Sequence, residues 1–354
     1  MAVIERKLAS DPLGLHRVMD AKRCLPQAAE KLDNSLPLFS NEILLKVERL
    51  NIDAASFIQM EQETGGNVDR IGRIVMENTQ TRGKQQNRVT GSGGMLVGSV
   101  AQIGSHYRGP LKCRVGDRVA SLISLTLTPL HLDRIRQVHL ENHQIDVDGH
   151  AILFQSSIAV KIPDEIEEAV AMAVFDVAGA PKTTYDLSRP KQRLVVIGAG
   201  GKAGILSCVA ARQKMGRSGK IIGIEPVASV AKDLASLGVC DDILSIDATD
   251  PIAVRDGVFK ATKGKMADLV VNVASVPNTE NSALLAATPR AKILFFSMAT
   301  SFPKVALGAE GIALQASLLI GNGYAPNHAK FAIDLVKARP ALLELFRRRY
   351  GSRS

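Results

Sequence analysis

Residues Arg193 to Gly204 read RLVVIGAGGKAG, and this stretch decides the fold. Leu194, Val195, Val196 and Ile197 form a short apolar run, the pattern of a parallel strand covered on both faces. Gly198, Gly200, Gly201 and Gly204 follow within seven positions, and Ile205 to Met215 has helix-compatible composition. A glycine at the strand end permits a tight turn, a second lets backbone amides approach a pyrophosphate, and a third lets helix and strand pack closely. The helix start adds free N–H groups and partial positive charge. Strand, glycine turn and helix together point to a bound dinucleotide, with Gly198, Gly200, Gly201, Lys202, Ala203 and Gly204 as candidate contacts. The spelling fits both G-x-G-x-x-A and G-x-x-G-x-x-G.

Outward from this turn, strand and helix signals alternate. Lys220–Ile224, Asp242–Ile246, Ala267–Asn272, Ala291–Phe296 and Leu314–Ile320 read as further strands. Ser229–Leu237, Pro251–Thr262 and Thr279–Ala287 read as the helices between them, and Asn327–Arg349 as a terminal helix broken at Pro340. The expected architecture is an α/β doubly wound sheet of six parallel strands, with its ligand crevice at the carboxyl ends of the strands. Gly198, Glu225, Asp247, Asn272 and Ser297, with Met298 beside it, should line one rim. Glu225 follows the second strand, 27 positions after Gly198, a little beyond the usual ~20. A carboxylate there accepts both ribose hydroxyls and repels a 2′-phosphate, which favours NAD over NADP.

The first half reads differently. Glu42–Leu50, Met95–Ile103, Arg118–Leu125 and Ala151–Lys161 look like β segments, with one amphipathic helix at Val68–Thr79 and a connecting helix at Asp164–Val177. A β-rich domain over 1–165 therefore precedes a nucleotide-binding domain over 166–324, with 325–354 as a segment that could return to the first.

Composition narrows the classes. The 354 residues allow about two domains, and 46% hydrophobic with 22% charged residues is ordinary for a globular protein. The formal charge of +9 invites a nucleic-acid reading, but the basic residues are dispersed, Trp is absent and only four Tyr occur, so no nucleic-acid partner is expected. Arg347, Arg348 and Arg349 read as a solvated helix end. Cys24, Cys113, Cys208 and Cys240 are far apart and form no C-x-x-C pair, which favours a reducing cytoplasm. No signal-peptide core or membrane-length apolar run is visible.

The chain resembles the medium-chain dehydrogenase/reductase superfamily, whose front domain is GroES-like and carries the substrate site. Gly116–Asp117–Arg118–Val119 looks like its G-D-x-V turn. Thr90–Gly91–Ser92–Gly93–Gly94 and Asn51–Ile52–Asp53 stand where zinc-dependent members carry metal ligands, and those ligands are missing. The resemblance therefore implies a zinc-independent enzyme, with no metal. His139, His143 and His150 lack a clear fourth partner and read as polar surface. At finer scale DPLGLHRV, NEILLKVERLNIDAASF, TRGKQQNRVTGSGGML, FDVAGAP, FFSMATSF and GNGY resemble the L-erythro-3,5-diaminohexanoate dehydrogenases of anaerobic lysine degradation, from Asp11 to Tyr324.

That resemblance implies NAD-dependent oxidative deamination of a small diamino acid by a cytoplasmic homodimer, with no membrane partner. The chemistry needs a base that keeps the reacting amine neutral, a cation for the carboxylate and an acid for the second ammonium. Arg82, Lys84 and Arg88 are candidates for the carboxylate, and Asp53, Glu61 and Glu63 for the second ammonium or the base, with Lys84 a further candidate for the base. Thr90 and Ser92 offer hydroxyls that can orient water. The rival readings are a zinc-independent NADPH quinone or enoyl reductase, which Glu225 opposes, and a non-catalytic nucleotide- or RNA-binding relative suggested only by the charge.

Overall fold

The computed structural model describes residues 5–6, 10–321 and 323–351. The chain divides into two units, one ending at Met172 and one beginning at Ala173.

In the first unit β1 (Glu5–Arg6) pairs in parallel with β2 (Leu38–Phe39). Between them, residues 10–37 run largely without regular structure and are anchored by buried cations. Arg17, fully buried, donates from Nε and Nη2 to Glu42 at 2.9 and 2.6 Å. The elements that follow are β3 (Ile43–Asn51), α1 (Ala54–Thr64), α2 (Val68–Arg82), β4 (Met95–Ile103), β5 (Arg118–Ser121), β6 (Leu130–His139), β7 (Gln144–Leu153) and β8 (Ala159–Lys161). Their sheet is antiparallel, in the order β6-β7-β3-β4-β5-β8. Alternating Ile43, Leu45 and Val47 of β3 point into a core shared with Phe57 and Met60 of α1 and Ile71 and Val75 of α2. The expected segment Ala151–Lys161 divides between β7 and β8, and Arg118–Leu125 stops at Ser121. The helix α1 was not anticipated. Its apolar positions are few, and its start is set by Asp53, whose carboxylate accepts from the Ser56 N–H at 3.1 Å.

From α3 (Glu168–Phe175) the chain continues through α4 (Gly179–Leu187), β9 (Arg193–Ile197), α5 (Lys202–Met215), β10 (Lys220–Ile224), α6 (Ala228–Ser236), β11 (Asp242–Leu244), α7 (Pro251–Ala261), β12 (Ala267–Asn272), α8 (Glu280–Leu285), β13 (Ala287–Phe295), α9 (Phe302–Gly311), β14 (Ser317–Ile320), α10 (His328–Lys337) and α11 (Pro340–Tyr350). All six strands of the second unit run parallel in the order β11-β10-β9-β12-β13-β14. This is the doubly wound order, with its switch point between β9 and β12. Val195 and Ile197 of β9, Ile222 and Ile224 of β10 and Val270 of β12 are fully buried, as the apolar run at 194–197 requires. Pro340 divides the expected terminal helix by opening α11 at its first turn, where a missing N–H costs no bond. The helix α10 packs on α4 and α5, so the described residues from 323 to 351 belong with the second unit.

Candidate active site

In the second unit the glycine turn is built as its sequence demands. Gly198 has φ +78°, and a Cβ there would lie 2.8 Å from the Ala274 backbone. A Cβ on Gly200 would stand 2.1 Å from Val230 Cγ1 and 2.8 Å from Glu225 Oε2, so this cradle exists only for glycine. Gly204 lets α5 close on the strand end, since a Cβ there would be 2.2 Å from the Gly198 carbonyl oxygen. Glu225 ends β10 with its carboxylate folded onto the turn. It accepts from the Gly200 N–H at 3.1 Å and from the Val227 N–H at 3.1 Å. Each oxygen keeps a further lone pair, which suits a ribose diol beside the turn. Gly201 caps α5, Ala203 lies in its first turn, and Lys202 pairs with Asp176 at 2.7 Å.

The other rim candidates divide. Ser297 and the exposed Met298 follow β13, where a ligand at the strand ends would pass. Asp247 lies three residues past β11 and closes its own turn, accepting from the Thr249 N–H and hydroxyl at 2.9 Å. Those two bonds, backbone first, hold its carboxyl below the usual range. Asn272 is a correction. Its side chain is fully buried, donates to Thr279 Oγ1 at 2.9 Å and accepts from the Ala274 N–H at 3.3 Å, so it organises the 273–279 loop instead of presenting an amide. Gly179 serves packing, since a Cβ there would meet the Gly323 carbonyl oxygen at 2.4 Å.

In the first unit three sequence candidates converge with a fourth residue. Gly94 has φ +99°, and a Cβ on it would be 2.0 Å from the Asn51 carbonyl oxygen. That close approach seats the 90–94 loop on the start of α1. Ser92 then donates from Oγ to Asp53 Oδ2 at 2.7 Å. Ser92 and Thr90 each reach Ser56 Oγ, at 2.7 and 2.5 Å, and each other at 3.0 Å. Ser56 is fully buried and Ser92 nearly so, whereas Thr90 and Asp53 are partly exposed. The result is a continuous hydroxyl chain that ends on a carboxylate. A hydroxyl both donates and accepts, so such a chain passes a proton without moving heavy atoms. Ser56 was missed in the sequence because one serine in a polar helix start carries no signal of its own. Asn87 was missed as well. It accepts from the Val89 and Thr90 N–H groups at 2.8 and 2.9 Å and donates to Gln59 at 2.8 Å.

Asn87 also lines a cleft of about 220 Å³ with Gln59, Glu63, Glu77 and Arg88. Glu63 accepts from Gln59 at 2.8 Å, and the exposed Arg88 and Glu77 pair at 3.4 Å. Two of the substrate-contact candidates, Glu63 and Arg88, thus share one polar cleft. Glu61 sits on α1, half-buried and outside this lining.

Lys84 and Arg82 are corrections. Lys84 is wholly buried and donates from Nζ to the carbonyls of Pro26 and Gln27 at 3.1 and 3.0 Å, anchoring the early segment. Burial first, and then the nearby Arg82 charge, push its pKa down to about 8. Arg82 donates to the Glu30 carbonyl at 3.0 Å and to Gln86 at 3.0 Å. The histidines go to separate partners. His139 meets Asp146 at 3.0 Å, His150 meets the Asn34 carbonyl at 3.1 Å, and His143 stacks on Phe57 at 4.8 Å between centroids. Among the described residues no three His, Cys, Asp or Glu side chains gather as a metal site, and no helix is long and apolar enough to cross a membrane.

Residues 16–163 match the L-erythro-3,5-diaminohexanoate dehydrogenase N-terminal domain family. The chain is 39% identical over 337 residues to an L-erythro-3,5-diaminohexanoate dehydrogenase of Acetoanaerobium sticklandii, covering 95% of this chain and 98% of that one. The chain belongs to the L-erythro-3,5-diaminohexanoate dehydrogenase family. A second member, from Fusobacterium nucleatum subsp. nucleatum, is 41% identical over 340 residues, with the same coverage. Membership of this dehydrogenase family makes the chain an oxidoreductase. Solved structures extend the likeness of fold. A quinone oxidoreductase of Pseudomonas syringae pv. Tomato DC3000 has TM-score 0.55 at 18% identity, covering 92% of this chain and 91% of that one. An Escherichia coli quinone oxidoreductase complexed with NADPH has TM-score 0.52 at 17% identity, covering 85% and 80%. The likeness is one of fold: the chain shares the architecture of these two quinone oxidoreductases.

Proposed function

We propose that the chain oxidatively deaminates L-erythro-3,5-diaminohexanoate with NAD, giving 5-amino-3-oxohexanoate and ammonia in anaerobic lysine degradation. The observation that carries this reading is the similarity, over 95% of the chain, to two dehydrogenases that bear this substrate's name. The site chemistry supports it. An ammonium has no lone pair to drive hydride departure, so the C3 amine must first lose a proton. Asp53, reached through Ser92, is the proposed acceptor, and Thr90 and Ser56 complete the proton path. NAD, held by the Gly198–Gly204 turn and Glu225, would supply the acceptor for the C3 hydride, so that the amine carbon would become an iminium. Thr90 and Ser92 then orient a water toward C3. Having released the first proton to solvent along the hydroxyl chain, Asp53 takes the proton lost as water adds and returns it to the amine nitrogen; ammonia then departs as the carbinol O–H proton passes back to Asp53 and the carbonyl forms.

Arg88 of the cleft suits the substrate carboxylate, and Glu63 with Glu77 suits the second ammonium. One carboxylate among hydroxyls is not a zinc donor set, which supports a reaction without zinc. Glu225 supports NAD over NADP, because its buried carboxylate repels a 2′-phosphate. The first unit is proposed as the GroES-like catalytic domain and the second as the NAD-binding domain. A homodimer through β14 is supported by its position at the sheet edge with Leu318 38% and Ile320 64% exposed.

The test follows absorbance of reduced nicotinamide with NAD and a panel of β-amino acids while ammonia is assayed. Stoichiometric ammonia with 3,5-diaminohexanoate is expected. Its absence, alongside quinone or enoyl turnover with NADPH, would refute the proposal.

A further inference from the structure

We propose that α11 is part of the dinucleotide site, through Arg349 as a positioning residue of the glycine turn. The inference rests on the dinucleotide reading of Gly198–Gly204. Arg349 donates from Nη1 to the Gly200 carbonyl oxygen at 2.7 Å. Its remaining donors, Nε and Nη2, are held by Asp233 Oδ2 of α6 at 3.0 and 2.6 Å, and Arg348 takes Asp233 Oδ1 at 2.6 Å. Partial desolvation pushes the Asp233 carboxyl upward, but the bonds from Arg349 and Arg348 outweigh it and keep it ionised below the usual range. Arg349 is only 16% exposed, so this is not the solvated helix end that a run of three arginines suggests. A second contact runs beside it, with Lys202 Nζ 5.8 Å from the centre of the Tyr350 ring.

The geometry explains why the site gains from this bond. Gly200 is the residue whose amide meets Glu225 and whose missing side chain forms the cradle. Its carbonyl is an acceptor in a turn meant for phosphate oxygens. Left unpaired and free to rotate, it would present negative charge to a pyrophosphate. Arg349 occupies it and adds positive charge at the same point. A carbonyl held by a guanidinium also polarises the N–H of the same peptide, that of Gly201, which caps α5 and closes the turn onto the Gly198 carbonyl at 3.3 Å. The guanidinium can do this because Asp233 fixes its plane through two further bonds.

The test uses the full chain with NAD and ADP-ribose, the fragment that carries only the adenosine and pyrophosphate half. Arg349→Ala is expected to weaken ADP-ribose and NAD binding by about tenfold in calorimetry, the size of one charge-assisted bond. In steady state the loss should fall on KM for NAD and not on KM for the diamino acid. Arg349→Lys keeps one donor and should recover most of the affinity. Asp233→Asn loosens the guanidinium without removing it and should give an intermediate loss, which keeps the test open if Arg349→Ala folds poorly. Exposed Arg347, replaced by Ala, removes the same charge from the same turn of helix and should bind ADP-ribose as the parent does. Wild-type affinity in Arg349→Ala, or an equal loss in Arg347→Ala, overturns the proposal. Failure of the unaltered chain to bind ADP-ribose overturns the dinucleotide reading instead.

Discussion

Asp53→Asn separates the two tasks of one carboxylate. Asp53 caps α1 through the Ser56 N–H at 3.1 Å and receives the Ser92 hydroxyl at 2.7 Å. Asn and Asp are about equal as N-caps, so the exchange should change folding stability by less than about 0.5 kcal/mol. The oxygen facing Ser92 becomes an amide NH₂, however. It donates where the carboxylate accepted, the hydroxyl chain must reverse, and its terminal proton acceptor is gone. A positioned base contributes roughly 10²–10⁴ in rate, or about 3–5 kcal/mol of barrier. The expected result is a kcat for reduced-nicotinamide formation and ammonia release lowered at least a hundredfold, with an unchanged melting temperature. Asp53→Ala should lose the same rate and, in addition, about 1 kcal/mol of stability with the cap. A kcat for Asp53→Asn within threefold of the parent, in a folded protein, would refute the relay.

Three further outcomes are expected. Gly200→Ala places a methyl 2.1 Å from Val230 Cγ1 and should weaken NAD binding by about ten- to a hundredfold, as overpacking of roughly 1–3 kcal/mol displaces Glu225; pairing it with Val230→Ala should restore part of the affinity, and titration calorimetry reads both. Glu225→Ala should raise KM for NAD about tenfold and narrow the discrimination against NADP, and an unchanged cofactor ratio removes Glu225 from the ribose role. Lys84 gives a pH signature. Its folded pKa of about 8 lies below the ordinary 10.5, so the folded state binds fewer protons between those values and stability rises with pH there, by up to about 3 kcal/mol. Below pH 8 the buried charge carries its full cost. Denaturation of the parent against Lys84→Met should show that difference growing from pH 8 to 10.5, and a flat difference contradicts it.

The second unit was legible from residues 193 to 320 because period and punctuation agree there. Apolar strands of β9, β10 and β12 are bounded by glycine, proline and caps, and the structure joins the six expected strands in one parallel sheet. The first unit was less legible. β6 carries Asp133, Arg134, Arg136 and Gln137 on an exposed surface, so its alternation is faint. The site shows the same division. Asp53, Thr90 and Ser92 could be picked because they stand at positions where the superfamily resemblance implies chemistry. Ser56 and Asn87 could not, since their roles arise from folding a loop onto a helix start. Lys84 misled because a lone lysine in a polar stretch does not announce that its amine is enclosed by the carbonyls of residues nearly sixty positions earlier.

The segment 10–37 has a thermal consequence. Leu13, Leu15, Met19, Leu25 and Leu36 are largely exposed, while Arg17, Arg82 and Lys84 bind it to the sheet unit through carbonyls and carboxylates. Its apolar anchorage is confined to a few residues such as Ala29 and Leu32, so its adhesion depends less than the core's on the apolar burial that weakens on cooling. The desolvation cost of its charged anchors falls as temperature rises. In native-state hydrogen exchange this stretch should open as its own unit, responsive to salt and pH at its rim and comparatively indifferent to cold, while the strands beneath it exchange only with the rest of the core.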